Sequence, residues 1–148
     1  MDKIKNDVFF VCTIIEYLGR YTFNHRGDIV RMLGIERIKH QLDYADVNHC
    51  LDMEQVAVEL IEDAGITNGS FDSVGQCIYK VPSVTAIGKL YQRLIFDVMD
   101  GSEPLEQMIY NVFTSFISDA ISDFNTSVYY SSPDYLRCSY LEGELLDD

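Results

Sequence analysis

Apolar residues spaced three and four apart run through most of this chain, a period that lines them along one face of an α-helix rather than on alternate sides of a strand. The longest series is Leu105, Met108, Ile109, Val112, Phe113, Phe116, Ile117, Ala120, Ile121 and Phe124, which predicts one helix of about six turns. A second, Ile4, Val8, Val11, Cys12, Ile15 and Leu18, is widened by Phe9, Phe10 and Ile14 until the helix must be buried on more than one side. Shorter stripes lie in residues 28–33, 35–45, 53–64 and 84–98.

The punctuation between stripes is also helical. Gly19, Gly34, Gly65 and Gly101 stand where helices stop, and Asn24, Asp52, Ser83, Ser102-Glu103-Pro104 and Ser132-Pro133-Asp134 stand where they start. Only residues 66–82 break the rhythm. Thr67-Asn68-Gly69-Ser70 and Asp72-Ser73-Val74-Gly75 carry turn chemistry and residues 76–81 alternate weakly, which predicts one short hairpin near 66–82. The expectation is an all-α, or nearly all-α, single-domain helical bundle of five to seven helices over residues 1–148, with a seam near 66–82 and a frayed acidic tail at 142–148. A chain of 148 residues buries about 70% of its unfolded surface without needing staples.

Charge narrows the choice of partner. Twenty-four Asp and Glu face eleven Lys and Arg, for a net charge of −13, which repels phosphate backbones and anionic lipid. The excess is uneven: residues 1–41 hold seven basic and five acidic side chains, and residues 42–148 hold four and nineteen. The acidic part suits a basic protein partner, since complementary fields speed encounter and suppress wrong pairings. The apolar run after Lys3 and Lys5 ends at Glu16 without a small-residue cleavage site, so no leader and no membrane span is expected and the chain reads as cytoplasmic. Cys12, Cys50, Cys77 and Cys138 form no CxxC pair and are read as buried small hydrophobes.

Catalytic motifs are not found. There is no GxSxG, no phosphate-binding glycine loop and no HExxH. His40, Asp43, Asp46, His49 and Cys50 are metal-ligand types, but steps of three along a helix sweep them around the axis, so neither a metal site nor a cofactor is expected. Asp119 and Asp123 sit one turn apart as a solvated face. Residues 28–41 have the outline of a helix-turn-helix turned at Gly34, with Arg31, Arg37, Lys39 and Gln41 as the groups that would meet DNA. Against it stand Glu36, Asp43 and Asp46. Phe124, Tyr129, Tyr130, Tyr135 and Tyr140 crowd the C-terminal end, and the four tyrosines are the candidate anchors for a protein partner, tyrosine combining a large apolar body with a polar tip.

Asp7-Val8-Phe9-Phe10-Val11 leading to Ile14-Ile15-Glu16-Tyr17, together with residues 121–130 and Pro133-Asp134-Tyr135, resembles an uncharacterised family of small helical bacterial proteins, a domain of unknown function. The resemblance implies a helical fold and an antitoxin- or immunity-like role. The sequence thus predicts a non-catalytic acidic helical protein that binds a protein partner. A DNA-binding regulator through 28–41 is the alternative, and a homodimer seamed along Leu105–Phe124 is a further expected assembly.

Overall fold

The computed structural model describes residues 2–147. It contains α1 (Asp2–Thr22), α2 (Arg26–Asp43), α3 (Ala45–Asn48), α4 (Met53–Ala64), α5 (Val84–Val98), α6 (Leu105–Thr114), α7 (Phe116–Ser122) and α8 (Pro133–Glu142), with a 3₁₀ turn over Val128–Tyr130. No strand occurs among the described residues. The protein is all-α, with eight helices among the described residues instead of five to seven, and no hairpin forms near 66–82.

The extra helices have local causes. The long apolar stripe is cut at Ser115, which is extended (φ −81°, ψ 168°), and whose hydroxyl donates to the Val112 carbonyl at 2.7 Å. That side chain competes for a carbonyl that a continuing helix would bond to its next turn. Met108, Ile109, Val112, Phe113, Ile117, Ile121 and Phe124 nevertheless all reach the core, leaving Phe116 as the exposed member of the stripe. Asn24 does not cap α2. His25 holds the N-cap position, and the Asn24 amide donates instead to Thr22 Oγ1 and to the Thr67 carbonyl. Ser102 does not cap α6 either, since Pro104 occupies that place and Ser102 bonds Asp100. Gly34, at φ 79° and ψ 162°, kinks α2 without ending it, a conformation open to glycine.

α1 is the central element, packed against α5 on one side and α2 on another, while α2 packs on α6. Helices before residue 66 therefore interleave with helices after 82. At the α1–α5 crossing, a Cβ on Gly88 would lie 3.0 Å from Thr13 Cα, so the two backbones meet through a missing side chain. Tyr91 stacks on Phe113 at 4.0 Å and its hydroxyl reaches Ser118 Oγ at 3.3 Å. Cys12 alone of the four cysteines is buried; Cys50 is exposed, and Cys77 and Cys138 are half-buried.

α1 runs past Gly19 to Thr22, and the space over that glycine is filled. A Cβ there would sit 2.6 Å from Arg26 Nε; the Arg26 stem crosses α1 where a side chain would have been. Arg26 and Glu16 are both 0% exposed. The guanidinium donates Nε to Oε1 at 2.9 Å and Nη2 to Oε2 at 2.8 Å, a two-pronged pairing that fixes orientation as well as charge. Arg20 adds a third donor to Glu16 at 2.7 Å. Two further Arg26 hydrogens go to the Asn24 carbonyl at 3.0 Å and Ser73 Oγ at 2.8 Å.

Removing one partner of a buried pair strands the other charge in a dry interior. Arg26→Met is expected to lower unfolding free energy by about 3 kcal/mol, read by urea denaturation. A second outcome concerns alkali. Burial lifts the Tyr91 phenol and the Cys12 thiol well above their ordinary ranges, so the folded chain keeps protons that the unfolded chain releases near about pH 10 from the phenol and about pH 8.5 from the thiol. Stability contributed by these groups is complete below about pH 7.5, falls as the unfolded thiol ionises around about pH 8.5, and falls further as the unfolded phenol ionises around about pH 10. Tyrosinate absorbance and helical circular dichroism should show Tyr91 ionising only as the fold is lost.

Candidate partner-binding surface

Residues 66–82, a strap between α4 and α5, are irregular but tied down at several points along their length. Where the alternation predicts strands pairing with each other, the strap amides pair instead with the end of α1: Gly69 N donates to the Thr22 carbonyl at 2.9 Å and Phe71 N to the Phe23 carbonyl at 2.8 Å. Phe23 is left-handed (φ 58°), which turns these carbonyls outward for the strap. Asn24 holds Thr67 at 2.8 Å, Arg26 holds Ser73, and Arg20 Nη2 holds the Pro82 carbonyl at 2.9 Å. Phe71 stacks on His25 at 4.0 Å, and His25 reaches Asp119 on α7 at 2.9 Å.

The far end of the strap is fixed by Asn125. Its amide donates to the Gln76 carbonyl at 3.0 Å and its Oδ1 accepts from Ile78 N at 2.8 Å, which copies the two-way bonding of a backbone peptide. Cys77 Sγ, 3.8 Å from the Phe124 carbonyl, faces inward at the same junction. The next two side chains are therefore carried outward: Ile78 is 77% exposed and Tyr79 64%. An aliphatic and an aromatic side chain held in water by an ordered loop form the most conspicuous apolar projection of the molecule.

The candidate tyrosines divide. Tyr130 is 68% exposed. Tyr129 is half-buried and meets Phe124 and Tyr130 edge-on, at 5.7 and 4.9 Å, so it links the Asn125 junction to Tyr130. Tyr135 is half-buried and donates its hydroxyl to the Leu146 carbonyl at 2.9 Å. Tyr140 is half-buried, which pushes its phenol up. The tail turns back at Gly143 (φ 82°), and Leu146 N donates to Ser139 Oγ at 3.2 Å; Asp148, the last residue of the tail expected to fray, lies outside the described residues.

The candidate DNA-contacting residues face carboxylates. Arg31 pairs with Asp28 at 3.1 Å, Lys39 with Asp43 at 3.1 Å, and Arg37 with Asp63 of α4 at 3.0 Å. Gln41 is buried. With α4, the C-terminal half of α2 forms a cleft of about 600 Å³ lined by Glu36, Arg37, Gln41, Glu59 and Asp63 over Val56 and Leu60. The segment that is basic in sequence is thus one wall of an acidic cleft. His49 and Cys50 come within 3.9 Å of each other, but among the described residues no three metal-ligand side chains converge. No helix among them is long and apolar enough to cross a membrane.

Two parts of this surface escape sequence reasoning. Ile78-Tyr79 reads as an edge of a strand, and Asn125 as filler among aromatics; only their 47-residue separation in sequence, closed in space, gives them a role. A scan against protein families, a search of curated proteins and a search of solved structures each returned no significant match.

Asn125→Ala should free the outer half of the strap while leaving the helices intact. Hydrogen exchange at the Ile78 amide is expected to accelerate markedly, and global stability to fall by about 1–2 kcal/mol for the two lost bonds.

Proposed function

We propose that this chain is a non-catalytic binding protein for a basic protein partner, anchored by the outer strap. The observation that carries this reading is the exposure of Ile78 and Tyr79 on a loop whose backbone is held by Asn125 at Gln76 and Ile78 and by Arg20 at Pro82. Ordering such a loop on binding is normally a cost, and here the fold bears it beforehand. Tyr130, reached from the same junction through Tyr129, adds an aromatic residue of the type enriched at energetic centres of interfaces.

Charge supplies the partner's sign. Eight of the eleven lysines and arginines lie within 3.7 Å of a carboxylate of this same chain. Positive charge is therefore spent internally, and most of the 24 carboxylates are left to face solvent or a partner. The outward field is that of an acidic protein, which steers cationic surfaces toward it. A role of the antitoxin or immunity kind, in which an acidic protein masks a basic one, fits this distribution. The three cations of residues 28–41 are all held by carboxylates, which leaves the DNA-binding reading without a supporting feature.

The test is affinity capture from nuclease-treated bacterial lysate at low and high salt, with the wild-type chain and the Ile78→Ser/Tyr79→Ser variant. A basic protein should be retained by the wild type at low salt and weakened by high salt. The double variant should bind it at least about 30-fold less tightly, the loss of about 2 kcal/mol expected for an interface centre. Equal capture by the variant, or retention of nucleic acid in place of protein, defeats the reading.

A further inference from the structure

We propose that the cavity between the N-terminal half of α1, α3 and the first turns of α4 and α5 binds a small arylalkylamine, with its ring in the apolar interior and its protonated amine against the polar groups that complete the lining. The assignment goes beyond the reading of a basic protein partner and does not depend on it, since the occupant is a small molecule in its own right.

The cavity has a volume of about 550 Å³, within the range of small-ligand sites. Its apolar wall is built from Phe9 and Phe10 on α1, Ala45 on α3 and Met53 at the start of α4. Phe10 and Ala45 are buried in the core, while Phe9 and Met53 are half-buried, and part of the surface of all four lines the empty space. Two phenyl rings and a thioether favour a flat aromatic guest over an alkyl chain, because rings stack or meet edge-on and sulfur packs well against ring edges. Thr13, buried beside them, gives its hydroxyl hydrogen to the Phe9 carbonyl at 2.7 Å and so offers the guest no donor.

An apolar wall alone accepts any greasy body; the polar groups choose the head. Two carboxylates, Asp7 and Asp46, line the cavity against one ammonium, Lys3. Lys3 Nζ donates to Asp7 at 2.8 Å, so that cation is already matched, and Asp46 makes no ion pair among the described residues. His49 Nδ1 lies 3.1 Å from the Ala45 carbonyl. A carbonyl can only accept, so the hydrogen sits on Nδ1 and Nε2 of the neutral ring is an acceptor. Asn6 and Thr85 give and accept alike and leave the sign to the others. An ammonium head therefore fits where a carboxylate or phosphate does not, and the net charge of −13 acts in the same direction. The wall already tolerates such a charge, since Lys89 Nζ stands 5.9 Å from the Phe9 ring centroid, within reach of its negative face. Asp46 directly follows Ala45 on α3, so the unmatched carboxylate adjoins the apolar wall and a short carbon spacer joins ring to amine.

The probe is 2-phenylethylamine, titrated into the full chain and followed by amide and methyl chemical shifts. Saturable shifts should centre on Phe10, Ala45 and Met53. 3-Phenylpropanoate, with the same ring and a carboxylate head, should bind at least about tenfold more weakly. Asp46→Asn, at an exposed position, keeps the amide spectrum of a folded chain. It should bind the amine at least about threefold more weakly while leaving the response to the neutral 2-phenylethanol unchanged, which separates loss of charge from loss of the cavity. The assignment is overturned by non-saturable shifts, by the propanoate binding as tightly as the amine, or by undiminished amine binding to Asp46→Asn.

Discussion

The Glu16 carboxylate, sealed from water and gripped by two guanidiniums, is the contact on which the rest of the arrangement depends. Burying an ion is costly, and it is tolerated only where geometry and further hydrogen bonds recover the lost hydration. Here the recovery comes from three elements at once: Glu16 and Arg20 from α1, Arg26 from the first turn of α2, and Ser73 from the strap. Because two cations share one anion, the cluster keeps a surplus positive charge that must be spread over neutral acceptors. The Asn24 and Pro82 carbonyls take that role. The cluster thus holds the backbone of the α1–α2 turn and of the strap's last residue, and Ser73 draws the middle of the strap to it.

That anchorage separates the strap from an ordinary surface loop. Loops usually combine exposure with mobility, but this one is pinned at Gly69 and Phe71 to the end of α1 and at Gln76 and Ile78 to Asn125, and still leaves two large apolar side chains in water. Single exposed hydrophobes are common on any protein. Consecutive ones on a pinned backbone are better suited to recognition, since little freedom remains to be surrendered on contact. The walls of the acidic cleft are set by α2 and α4, and the kink at Gly34 redirects the second half of α2 after its first half has entered the core.

Much of the fold is legible in the sequence because helical periodicity and burial report the same fact. The stripes of α1, α4 and α5 are found where the apolar spacing puts them, and Ser83 and Ser132 cap the helices they precede by accepting from Ala86 N and Tyr135 N. The break at Ser115 is invisible to periodicity, because the apolar residues on either side stay in register; a single hydroxyl bonded back to Val112 decides the matter. The hairpin fails for a related reason. Turn residues and alternation show that a segment will not be helical, but not which carbonyls its amides will find, and here they find Thr22 and Phe23. The site is less legible still. Charge counted along residues 28–41 looks basic until α4 brings Asp63 and Glu59 across from more than twenty positions away. Tyr135 and Tyr140 look like anchors until the fold half-buries both, with the Tyr135 hydroxyl bonded to the tail.

Gly19 has a consequence of another kind. Its missing side chain is the passage through which the Arg26 stem reaches Glu16, so the three positions cannot drift independently. A lineage that acquired alanine at 19 would have to shorten the residue at 26, and one that lost arginine at 26 would hold an acid at 16 with a single counter-charge. Descendants should therefore inherit the trio intact or exchange it together.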